Sequence, residues 1–191
     1  MNLGIKRSST AGFLALLVFF TLFGAVKPAQ AGSTIQVNDF ADRYHDPDYC
    51  SLRDAIESAN KNSKVGGCTA GTGTDTISLE AGNYQVSDPL HGELYINSNL
   101  TIVGKGNQGT QGTYIVADLN LGDRVMHIDP TLKGITVKLS NLAITGGDKS
   151  DGDGGGILNG HEDLAADSDD RANLTLENVV VYGNQAGSNT V

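Results

Sequence analysis

In the stretch VKLSNLAITGG, residues 137 to 147, apolar side chains stand at Val137 and Leu139, then at Leu142 and Ile144, so the alternation changes phase across Asn141. Strict alternation is the pattern of a strand with one buried face. A change of phase at one residue is what a sharp bend produces when both flanking strands keep their apolar side chains inward. Asparagine tolerates the left-handed backbone such a bend needs. The pattern recurs in LTLENVVVYGN, residues 174 to 184, at an offset of 37, which places Asn178 on Asn141. An earlier copy, NLTIVG at 99 to 104, aligns at an offset of 42 and places Asn99 there too. Strand, asparagine corner, strand and glycine turn, repeated, predict a solenoid whose turns stack on one another. The segments 76 to 86, 124 to 129 and 154 to 159 are assigned as the third side of each turn.

One segment departs from this regime. In CSLRDAIESAN, residues 50 to 60, Leu52, Ala55, Ile56 and Ala59 fall at i, i+3, i+4 and i+7, a helical stripe. Ser51 and Asp54 match the S-x-x-D capping box, in which each side chain satisfies a backbone N–H of the first turn. About ten residues is marginal for a helix alone in water, so the stripe must be packed on something. The helix is predicted to roof the open end of the first turn of the solenoid, where burying Leu52 and Ile56 would each contribute roughly 1.5–3 kcal/mol.

Export and composition narrow the class. Lys6 and Arg7, an apolar run from Phe13 to Phe23, and Ala29-Gln30-Ala31 form a secretory signal over residues 1–31. No later segment approaches the roughly 20 apolar residues of a spanning helix. Loss of Lys6, Arg7 and Lys27 leaves ten bases against 22 acids. An acidic chain of this kind is a poor partner for nucleic acid or anionic lipid, which require clustered Lys and Arg. The two cysteines, Cys50 and Cys68, are expected to form a disulfide in an oxidising compartment; a metal or redox role would call for CxxC or nearby histidines.

Cys50-Ser51-Leu52-Arg53-Asp54-Ala55-Ile56, with Ala59-Asn60, Cys68 and Gly73-Thr74-Asp75-Thr76-Ile77, resembles the CSLREA-type N-terminal region of bacterial exported β-helix proteins. Asp54 stands where that family usually has Glu and preserves the capping chemistry. The resemblance covers about residues 34 to 86, and the remainder is similar to pectin-lyase-like repeats. It implies an all-β, right-handed parallel β-helix with an N-terminal, disulfide-linked helical cap. The cap is placed at 32–75 and the repeats at 76–191, with the chain ending before a closing cap and its last turn open to end-to-end association.

Catalytic chemistry is sparse. Paired carboxylates for glycoside hydrolysis occur only as Asp169-Asp170 and as Asp151 with Asp153, in loops rather than on strands. A lyase would need a base, for which Arg124 and Lys138 are available. Asp151, Asp153 and Glu162 stand at positions 1, 3 and 12 of an EF-hand-like run, but Gly155 occupies a ligand position and no helix flanks it, so Ca²⁺ is a weak candidate and no cofactor is expected. His45, His91, His127 and His161 lack metal spacing and read as structural or solvated, and Arg53 as paired with an acid. The acidic loops 147–153 and 160–172 exceed the minimal repeat, and such insertions often form a binding face. The expectation is an adhesin-like recognition scaffold, secreted or on a bacterial surface, taking extracellular polysaccharide or cell-surface glycan. The rival is a polysaccharide lyase or glycoside hydrolase with an incomplete site.

Overall fold

Alternating side chains become strands throughout the computed structural model, which describes residues 1, 31–129, 131, 134–161 and 171–187. The signal segment lies almost wholly outside the described residues, as do Glu162, Asp169 and Asp170. In chain order the elements are β1 (Thr34–Gln36), α1 (Leu52–Lys61), β2 (Asp75–Ser78), β3 (Gly82–Val86), β4 (Leu94–Ile96), β5 (Leu100–Val103), β6 (Thr113–Ala117), β7 (Met126–Ile128), β8 (Thr136–Thr145), β9 (Asp148–Lys149), β10 (Ile157–Asn159), β11 (Asn173–Val181) and β12 (Gln185–Ala186). The strands form a seven-stranded sheet containing β1, β2, β5, β8, β6, β3 and β11, a three-stranded sheet β10-β7-β4 and a two-stranded sheet β12-β9.

Pairing in all three sheets is parallel, and the register stacks like on like. Ile35, Ile77, Ile102, Leu139 and Leu176 form one column, and Tyr84, Ile115, Ile144 and Val181 a second. Leu94, Met126 and Ile157 form the third, across the small sheet. Apart from Leu176 and Val181 of β11, which are exposed, these columns meet in one core, closed at the β1 end by the α1 stripe of Leu52, Ala55, Ile56 and Ala59, all buried. The Ser51 hydroxyl accepts the Asp54 N–H at 3.1 Å, and the helix ends at Asn62 in the left-handed region. Cys50 and Cys68 are disulfide-bonded with Cα atoms 4.5 Å apart, pinning the helix start to the loop behind it. A disulfide is compatible with an extracellular protein. Among the described residues no helix is long and apolar enough to cross a membrane.

The expected all-β, right-handed parallel β-helix solenoid is overturned. The structure is a half-barrel of parallel strands with one short helix whose apolar stripe belongs to the core, so the chain is not all-β. The large sheet also runs unbroken through its bend: β8 pairs with β5 along its first half and with β6 along its second.

Three finer expectations also change. Asn141 and Asn178 do lie at bends with φ of 54°, and the Asn178 amide donates to the Asn141 side-chain oxygen at 2.8 Å. Asn99 does not. Its strand pairs Leu100 with Val137, an offset of 37 rather than 42, and the Asn99 side chain instead accepts the Thr136 N–H at 2.8 Å, ahead of the strand. The bend after β5 is made by the loop from Gly104 to Gly112, where the Gly106 N–H reaches the Asn141 carbonyl. The segment 76 to 86 is likewise not a third side but two strands of the large sheet, and β4 takes that place beside 126–128 and 157–159. In the capping box, finally, the Asp54 carboxylate does not return to Ser51; both its oxygens accept the His45 N–H, because the incoming loop packs against it.

The Asn141 bend is directly testable. A branched Cβ in the left-handed region is strained, and valine also removes the acceptor for Asn178. Asn141→Val should cost about 1–3 kcal/mol in urea unfolding. Unchanged stability would mean that the bend does not depend on the residue at its apex.

Candidate functional site

The prominent concavity lies beside α1, a groove of about 620 Å³ running from the helix to the segment 90–97. Its walls are Ile56, Glu57, Asn60 and Lys61 of the helix, Tyr44 of the preceding loop, and Leu90, His91, Leu94, Tyr95 and Asn97 opposite.

Arg53 sets the position of the far wall. From the buried side of α1 it grips Asp42 with two bonds of 2.8 Å, Nε to Oδ1 and Nη2 to Oδ2. It also donates to the carbonyls of Gly92 at 2.7 Å and Glu93 at 3.1 Å. Asp42 in turn accepts the N–H groups of Ser87 and Asp88. A forked, delocalised cation is suited to joining one carboxylate and two carbonyls at once. Asn60 completes the join, donating to the Tyr95 carbonyl at 2.7 Å and accepting the Asn97 N–H at 3.0 Å.

Aromatic rings line this frame. The Tyr44 ring is stacked between His45, centroids 3.7 Å apart, and His91, 3.6 Å apart. His91 is held by Asp88 through Nδ1 at 2.6 Å. Across the groove Tyr95 is 47 % exposed and Leu90 is 89 % exposed. Glu57 links His45 on one side and Lys61 on the other. Burial pushes the Glu57 carboxyl up, but its bonds to Lys61 and His45 bring it below the usual glutamate value.

Behind the wall lies a buried ionic cluster. Glu93 accepts from Arg124 Nη1 at 2.7 Å and lies 2.9 Å from His127 Nδ1. His127 Nε2 lies 2.6 Å from the Gly160 carbonyl. Burial alone would raise Glu93, yet the bond to His127, the Arg124 charge and the Tyr95 hydroxyl hold it below the usual range. The Tyr95 hydroxyl is pushed up to about 12, by burial first and then by the Glu93 charge. Tyr95 therefore stays neutral and a hydrogen-bond donor at any physiological pH.

Of the residues singled out in the sequence, Leu52, Asp54, Ser51 and the two cysteines build the helix seat, and Ile56 and Arg53 reach the groove. Asp151 is exposed and pairs with Lys149 at 3.3 Å, while Asp153 contributes its carbonyl to Arg124. Arg124 and Lys138, the candidate bases, are engaged by Glu93 and Glu177. His45, His91 and His127, read from the sequence as scattered, gather at or behind the groove. Glu93 and Leu90 escaped sequence reasoning, whereas Tyr95 is one of six tyrosines, with Tyr44, Tyr49, Tyr84, Tyr114 and Tyr182, that the sequence offers for stacking on sugars but reads as strand residues. A glutamate one residue before a period-2 strand was the available signal. Comparisons with family models, curated proteins and solved structures find no match to the chain.

Proposed function

We propose that the protein is an exported recognition scaffold whose groove beside α1 binds a saccharide segment of an extracellular or cell-surface glycan. The observation that carries this reading is the groove's composition: an exposed Tyr95 face and Leu90 beside hydrogen-bonding Asn97, Lys61 and Glu57, on walls pre-set by Arg53 and Asn60. Sugars offer apolar C–H faces to an aromatic ring and hydroxyls to polar groups at its rim, and a concave, largely pre-formed site with few convergent polar groups suits such a ligand. Both faces of Tyr44 are already covered by imidazoles, so Tyr95 and the outer face of His91 are the platforms. The groove lining holds one carboxylate, Glu57, where hydrolysis by paired carboxylates needs two.

A glycan array followed by calorimetry tests the reading. Binding without release of reducing or unsaturated ends is expected, and Tyr95→Ala should weaken it roughly tenfold, since an aromatic contact contributes about 0.5–1.5 kcal/mol beyond its area. No glycan bound, or equal binding by the variant, would remove the groove from the account. Turnover would reassign the protein to the carbohydrate-active enzymes.

A further inference from the structure

We propose that His45, Asp54 and Glu57 form a site for one divalent transition ion of the Zn²⁺ class. One ligand atom from each residue lies within 4.8 Å of the others. Tetrahedral Zn²⁺ with N and O ligands places them about 3.3 Å apart, so the widest gap closes by up to about 1.5 Å while His45 Nε2 and Glu57 Oε2, at 2.7 Å, move slightly apart. Asp54 is fixed in the core at 0 % exposure. The His45 and Glu57 side chains, 41 % and 22 % exposed, can make that movement and leave an entry path from solvent.

Three observations favour an ion over a plain His–Glu pair. First, Asp54 is a buried carboxylate whose hydrogen bonds come from the neutral His45 N–H, at 3.1 and 3.0 Å, with no cationic side chain in ion-pair contact among the described residues. A buried anion without a cation is costly, and a metal supplies one. Burial accordingly pushes the Asp54 carboxyl above its usual value. Second, His45 Nε2 and Glu57 Oε2 already converge to 2.7 Å, and a cation binds between them by displacing the hydrogen bond. Third, the donors are oriented before any ion arrives. The His45 ring is stacked on Tyr44, its backbone stands at φ 57°, and Lys61 holds the other oxygen of Glu57. An imidazole with two carboxylates suits Zn²⁺ and its neighbours rather than Ca²⁺ or Mg²⁺, which prefer all-oxygen shells.

The probe is the metal alone, with no saccharide present, so the outcome is independent of the glycan reading. Full-length protein dialysed against chelator is titrated calorimetrically with Zn²⁺, and Co²⁺ absorption reports coordination geometry. One ion per chain, a tetrahedral Co²⁺ spectrum and a raised melting temperature are expected. His45→Gln and Glu57→Gln, which alter partly exposed side chains and spare the core, should each weaken binding roughly 100-fold, at least as much as loss of a supporting outer-shell group. His91→Gln, on the far side of Tyr44, should bind as the parent does. Absence of saturable binding, or parental affinity in His45→Gln, would overturn the proposal.

Discussion

Glu93→Ala should destabilise the protein by about 3–5 kcal/mol, the largest effect expected of any single substitution outside the apolar core. Glu93 is buried between Arg124 and His127, themselves buried, at 2.7 and 2.9 Å. Removing the carboxylate takes from Arg124 a buried counter-charge at 2.7 Å and from His127 the partner of its Nδ1, leaving His127 Nε2 with the Gly160 carbonyl. The cost is therefore mainly that of a buried cation deprived of this counter-charge. Glu93→Gln keeps the shape and part of the hydrogen bonding and should lose less. Acid distinguishes the two causes. The folded-state value of Glu93 lies below the ordinary 4.5, so its charge contributes stability above that pH, and the contribution fades as pH falls through the folded value. The gap in melting temperature between parent and Glu93→Gln should thus be widest at neutral pH and narrow below pH 4.5. A gap independent of pH would show that shape, not charge, is what Glu93 provides. Because its Arg124 and His127 partners hold the wall that carries Tyr95, glycan binding by Glu93→Gln should weaken along with stability.

Replacing both cysteines by alanine should cost about 2–4 kcal/mol. Cys50 and Cys68 are 18 residues apart and enclose α1, whose ten residues are too few to hold a helix in water without packing. Opening this loop restores freedom to the unfolded chain and loosens the seat beneath Leu52 and Ile56. Hydrogen exchange should therefore accelerate at residues 51 to 60 before it does in β5 and β8. Equal protection of the helix with and without reductant would place its anchorage in the Arg53–Asp42 pair and the apolar stripe instead. The groove shares a wall with α1, so saccharide binding should fall in the reduced protein even where the sheets remain folded.

Local chemistry made much of this legible from residue order. Ser51 as cap, the stripe from Leu52 to Ala59, and the pairing of two cysteines each follow from interactions a few residues long or from the redox compartment. So does the bend at Asn141, where inward positions shift from 137 and 139 to 142 and 144. That same shift hid the register of the neighbouring strand. Leu100 and Ile102 fit Val137 and Leu139 as well as they fit Leu142 and Ile144, because a bend that changes phase makes both halves of β8 accept the same alternation. Backbone pairing and the Asn99–Thr136 bond decide between them. The class went astray for a related reason: alternation reports which side chains face inward, but not whether a helical stripe closes the core as an integral layer or how far a sheet continues through its bends.

The sequence by itself determined that this chain forms short strands with inward aliphatic rows, bends at Asn141 and Asn178 (though it set a third bend at Asn99, which the structure moves), and carries one capped helix tied down by a disulfide, since each of these is set by neighbours in the chain. Only the tertiary structure decided the half-barrel, the groove, the burial of Glu93 with Arg124 and His127, 31 and 34 residues away, and the meeting of His45 with Asp54 and Glu57. Parallel pairing brings Glu93, Arg124 and His127 together across long loops, and burial in the assembled core makes an unpaired charge there costly, a condition that no local pattern of residues encodes.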